Sequence, residues 1–116
     1  MFEFKLKDKT IPLKWGTWSM KRFCEIKGIT IGQYFELISQ GEIGIEDVVT
    51  MVQAAAEMAT KGTVKFTDFE VCEWIDDDGG IVNPDGQIKA FFEWVAASHV
   101  VNAAEQLEEK KSQVTE

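Results

Sequence analysis

Three groups of residues carry side chains capable of chemistry. Asp76, Asp77 and Asp78 are consecutive carboxylates ahead of Gly79 and Gly80, and a hard cation such as calcium takes several carboxylate oxygens converging on one point. Aligned as a calcium loop with Gly79 in the glycine slot, the segment puts Trp74 at the first ligand position and only Asp76 and Asp78 at the third and fifth. That register fails, and the turn rules read the segment as a solvated helix break. His99, the single histidine, could act as a general base beside a nucleophile and an orienting acid. No Gly-X-Ser-X-Gly, phosphate loop or second histidine accompanies it; it reads as a core or interface histidine, and the chain as a non-enzyme. Cys24 and Cys72 lie far apart and, with one histidine, form no zinc ligand set of usual spacing. Both fall on apolar helical faces, where a thiol behaves as a small hydrophobe. No catalytic residue, metal ligand or cofactor is expected.

The elements that would position such residues follow from pattern. Phe2, Phe4 and Leu6 alternate with charged residues, and Ile11, Leu13 and Trp15 alternate after Asp8 and Lys9, which predicts a hairpin with Pro12 on an unpaired edge. Thr17 is placed to cap a short helix with Met20, Phe23, Cys24 and Lys27 on one face and Gly28 at its end. Thr30 and Gln33 have the form of a capping box ahead of Tyr34, Phe35, Leu37 and Ile38, with Gly41 closing the helix. A longer third helix has Ile45, Val48, Val49, Val52, Ala55, Ala56 and Ala59 on its inner face, Glu46, Gln53 and Glu57 outward, and Gly62 as its stop. After Val64, Lys65 and Phe66, which could be extended, Thr67 and Glu70 make a second capping box for a helix with Phe69, Cys72 and Ile75 in helical spacing. Asn83, Pro84, Asp85 and Gly86 form a turn before a last helix from about residue 87 to about 111.

The chain of 116 residues, 45% hydrophobic, suits one domain and one core. The expectation is an α+β, mostly α fold, an N-terminal β-hairpin packed on a bundle of about five helices. The globular domain would span 1–110, with a frayed charged tail at 111–116. Twenty acidic against twelve basic residues give a formal charge of −8, the wrong sign for phosphate backbone or anionic lipid. The first residues begin a strand pattern without an apolar leader core, and no apolar run reaches membrane-spanning length. A cytoplasmic protein without nucleic-acid or membrane partners is expected.

The last helix is the most informative element. Ile88, Phe91, Phe92, Val95 and His99 form an ordinary core stripe, while Ala90, Trp94, Ala97, Val101 and Ala104 recur at spacings of four, three, four and three on a different side. A helix apolar on two sides must be buried on two sides, and a domain this small has little material to cover both. Either this is a central helix wrapped by the other elements, or its second stripe is covered by a second copy or a partner helix, and in that case Phe92, Trp94, Ala97 and Val101 are the candidate partner-binding residues.

The order of elements carries a resemblance. An N-terminal strand pair precedes Trp15-Gly16-Thr17-Trp18, an aromatic-Gly-X-aromatic phrase. A helix ending Cys24-Glu25-Ile26-Lys27-Gly28 follows, then a capped helix opening Ile29-Thr30-Ile31-Gly32. This resembles the tail assembly chaperones of long-tailed bacteriophages over roughly the first forty residues, and as a succession of helices thereafter. The acidic, loop-poor last helix departs from the family pattern. No catalytic residue defines the family, so none is carried over. The resemblance implies an oligomeric, α-rich protein in the host bacterial cytoplasm. It would bind the tape measure protein and keep it soluble until tail tube subunits replace it, and it would be absent from the mature particle. In many relatives a translational frameshift adds a C-terminal extension. The alternative from a different class is a structural tail or connector component, retained in the particle and using the hairpin for sheet-edge addition.

Overall fold

In the computed structural model, which describes residues 1–98, the N-terminal alternation folds as expected: β1 (Phe2–Lys5) pairs antiparallel with β2 (Thr10–Leu13). Phe2 stands opposite Leu13 and Phe4 opposite Ile11, so the apolar side chains share one face of the pleat. The Leu6 N–H donates to the Lys9 carbonyl at 2.8 Å. Because directly opposed pairs alternate between bonded and non-bonded, the Glu3–Pro12 pair falls at a non-bonded position, where the missing N–H of Pro12 costs the ladder nothing. Leu6 and Trp15, expected to extend the alternation, lie just outside the strands. Neither Lys7 nor Asp8 has a positive φ, so the turn is not of the primed type.

Four helices follow in order: α1 (Thr17–Lys27), α2 (Ile31–Gln40), α3 (Ile45–Ala59) and α4 (Asp68–Asp77). A fifth, α5, covers residues 87–98. The architecture is thus α+β, mostly α, with the hairpin on a helical bundle. The caps explain the boundaries. Thr30 Oγ1 accepts from the Gln33 N–H at 3.1 Å while Gln33 Oε1 accepts from the Thr30 N–H at 2.8 Å, and Thr67 and Glu70 repeat the exchange at 3.1 and 3.3 Å. Gly28 and Gly41 end α1 and α2 in left-handed conformation at φ 68° and 69°, a backbone state that favours glycine at a helix end. One cap differs from expectation. The first residue outside α1 is Gly16, not Thr17, and Ser19 supplies the polar partner, accepting from the Gly16 N–H at 2.7 Å. Val64, Lys65 and Phe66 form no strand.

The central helix is α3. Every residue from Val48 to Glu57 is buried, and α3 packs on α1, β2 and α4. Its small side chains Ala54, Ala55 and Ala56 let those neighbours approach, and the Lys14 N–H reaches the Ala55 carbonyl at 3.0 Å. Gln53 and Glu57, expected to face outward, are inside because partners distant in sequence neutralise them. Gln53 donates to the Phe66 carbonyl at 2.7 Å. Glu57, 1% exposed, accepts from Arg22 Nε at 2.7 Å and from the Phe66 N–H at 3.1 Å. A carboxylate is tolerated there only because it is both paired and hydrogen-bonded. Gly62 closes α3 through a bond from its N–H to the Glu57 carbonyl at 2.8 Å. In α4 the inner face is Val71, Trp74 and Ile75; Phe69 and Cys72, expected beside Ile75, are exposed.

Candidate interaction surface

With α3 at the centre, the two apolar sides of α5 meet different fates. Ile88, Phe91 and Val95 are buried at spacings of three and four, each removing enough apolar area to contribute about 1.5–3 kcal/mol. On the other side Ala90 and Ala97 are exposed and Trp94 is half-buried, while Phe92, also half-buried, flanks the buried stripe. Trp94 packs tilted against the hairpin, its ring 5.8 Å from Phe2 and 6.0 Å from Phe91, and Phe2 meets Phe91 edge-on at 5.6 Å. Of the four candidate partner-binding residues, Trp94 and Ala97 therefore lie along one incompletely covered strip, whereas Phe92 lies on the opposite flank of α5, beside Ile88 and Val95. Val101, together with His99, Ala104 and the 111–116 tail, lies outside the described residues.

Of the carboxylates that suggested cation binding, Asp78 holds the start of α5. Asp78 Oδ2 accepts from the Gln87 N–H at 2.6 Å, at the first turn of α5, and Asp78 Oδ1 accepts from Gln87 Nε2 at 2.9 Å. A carboxylate at a helix N-terminus satisfies an orphan donor and complements the macrodipole. The Gln87 amide then completes a ladder with β1. Its Oε1 accepts from the Lys5 N–H and its Nε2 donates to the Lys5 carbonyl, both at 2.6 Å. The Lys7 N–H reaches Asp77 Oδ2 at 3.2 Å. The helix breaks here as expected and Asp76 and Asp77 are exposed, while Asp77 and Asp78 also tie the end of α4 to the hairpin and to α5. Among the described residues no group of three or more His, Cys, Asp or Glu is arranged to hold a metal ion. None of the described helices is long and apolar enough to cross a membrane.

Two further apolar surfaces escaped sequence reasoning. Ile31 and Phe35, one turn apart on α2 and about half exposed, open onto a cleft of about 520 Å³ lined also by Met20, Cys24 and Ile29. Burial pushes the Cys24 thiol up from its ordinary range, which favours the neutral, unreactive form. Tyr34 lies beneath, fully buried against Phe23 at 5.4 Å; burial pushes its hydroxyl well above the ordinary phenol range, with the neighbouring Trp15 indole opposing. The second surface is a groove between α1, α3 and α4. Its signal was available in the Val71, Trp74, Ile75 spacing, which turns Phe69 and Cys72 outward. Neither family models nor characterised proteins nor solved structures give a match to this chain.

Proposed function

We propose that this chain is a non-catalytic binding protein, a phage tail assembly chaperone that binds the tape measure protein and keeps it soluble during tail morphogenesis. The observation that carries the reading is the incompletely covered strip Ala90, Trp94 and Ala97 on α5, added to the resemblance of the first forty residues. A long helical protein with apolar stripes self-associates before assembly, and a partner offering a complementary helix face masks those stripes. The net charge of −8 keeps coated complexes soluble and mutually repelling. Self-association through the same strip, residence in the host cytoplasm and absence from the finished particle belong to this proposal. The retained-component alternative needs an open hairpin edge. On β1 the Lys5 backbone is already engaged by Gln87, and just beyond the strands the Lys7 and Lys14 N–H groups are bonded to Asp77 and to α3, which leaves less open backbone for strand addition and favours the chaperone reading. Co-expression with the tape measure protein of the same genome tests it: the chaperone keeps that protein in the soluble fraction and is missing from purified particles. A tape measure protein equally soluble alone, or the chain found in particles, refutes it.

A further inference from the structure

We propose that the groove between α1, α3 and α4 docks an amphipathic helix of another protein whose apolar stripe is flanked by Lys or Arg. The groove encloses about 680 Å³, with Ile26, Ile45, Val49 and Cys72 among its walls and Lys27, Glu46 and Asp68 beside them. Of these walls Ile45 is 65% exposed and Ile26 37%. Large apolar side chains gathered around one concavity mark a contact surface, unlike single scattered ones. A trough between helices is the shape into which an amphipathic helix sets its anchors.

Charge selects the occupant. Lys27 is already committed, its Nζ 3.0 Å from Asp47 Oδ1 and 3.8 Å from Glu46 Oε2. Glu46, Asp47 and Asp68 thus outnumber the one ammonium, in a chain of net charge −8. A second copy seated symmetrically on this groove would bring one net-acidic patch against another, and an acidic helix would meet the same repulsion. A cationic flank neutralises them. None of the groove's lining residues belongs to α5, so the inference stands apart from the chaperone reading.

The probe is a synthetic amphipathic peptide with a Leu stripe flanked by Lys, compared with the same peptide carrying Glu at each Lys. Titrated into the full chain, the Lys peptide binds at least about tenfold more tightly than the Glu peptide, a difference that shrinks with salt. Bound Lys peptide slows N-ethylmaleimide labelling of exposed Cys72. Ile45→Ser weakens the Lys peptide about tenfold, and Asp68→Lys narrows the preference between the two peptides. Ala97→Glu on α5 leaves the affinity within about twofold, by the additivity of distant sites. Equal affinity for the two peptides, unprotected Cys72, or a chain whose dimerisation Ile45→Ser abolishes would overturn the inference. Asp68→Lys reads the charge preference even where Ile45→Ser lowers stability.

Discussion

Glu57→Ala separates a buried ion pair from a surface residue with one measurement. Glu57 is 1% exposed and serves two donors, Arg22 Nε at 2.7 Å and the Phe66 N–H at 3.1 Å. Removing one partner of a buried pair costs about 3–5 kcal/mol because the remaining charge is left uncompensated. Arg22 retains some exposure, with Glu25 still 3.7 Å from its Nη1, which places the expected loss at the lower end, about 3 kcal/mol, of which the orphaned Phe66 N–H accounts for about 1. Urea unfolding is the assay: the midpoint falls while the slope is unchanged, because the surface exposed on unfolding is nearly the same. Sodium chloride barely alters the difference, since buried pairs are little screened. Arg22→Met combined with Glu57→Leu loses less than Glu57→Ala alone, as apolar replacement removes both desolvation penalties. A loss below about 0.5 kcal/mol, the range of ordinary surface substitutions, would refute the buried placement and restore the outward-facing position that helical periodicity assigns.

Alkaline pH provides a second test. The Tyr34 hydroxyl is pushed up by burial, so the fold favours its neutral form; its contribution is complete below the ordinary phenol range near pH 10 and falls above it by about 1.4 kcal/mol per pH unit. Tyr34→Phe flattens that part of the stability profile, and an unchanged slope above pH 10 contradicts the assignment. Asp78→Ala removes the acceptor at the start of α5 and costs about 1 kcal/mol, read as faster hydrogen exchange of the first α5 amides with the α3 amides unaffected. Gly28→Ala, with open space around the added methyl but φ at 68°, costs about 1–2 kcal/mol from backbone strain alone, and a neutral result by thermal melting contradicts the left-handed cap.

Local signals in the chain were legible where their partners are local. The Thr30–Gln33 and Thr67–Glu70 boxes, the Gly28 and Gly41 caps and the Phe2/Phe4 alternation each involve residues within a few positions of one another, and each stands where pattern placed it. The buried stripe Ile88, Phe91 and Val95 was equally readable from its spacing. What escaped depends on contacts distant in sequence. Gln53 and Glu57 look like an outer face until Arg22 and the Phe66 backbone arrive to satisfy them. Three adjacent aspartates resemble a solvated break until Gln87 and Lys7 fold back onto Asp78 and Asp77. Phe69 was misplaced for a local reason, its helical spacing to Cys72 and Ile75 competing with the better-filled Val71, Trp74 and Ile75 face. The candidate strip on α5 was legible as an apolar repeat; that α3 takes the centre and leaves the strip only partly covered required the tertiary arrangement.

The most direct test of the strip is calorimetric titration of the tape measure protein's helical segments into the wild-type chain and into Ala97→Glu, whose side chain is exposed and whose fold should be unchanged. A buried carboxylate without a partner costs several kcal/mol at an interface, so the account predicts that binding weakens at least about thirtyfold, equivalent to about 2 kcal/mol, with an unaltered melting temperature. Wild-type affinity retained in Ala97→Glu would contradict it.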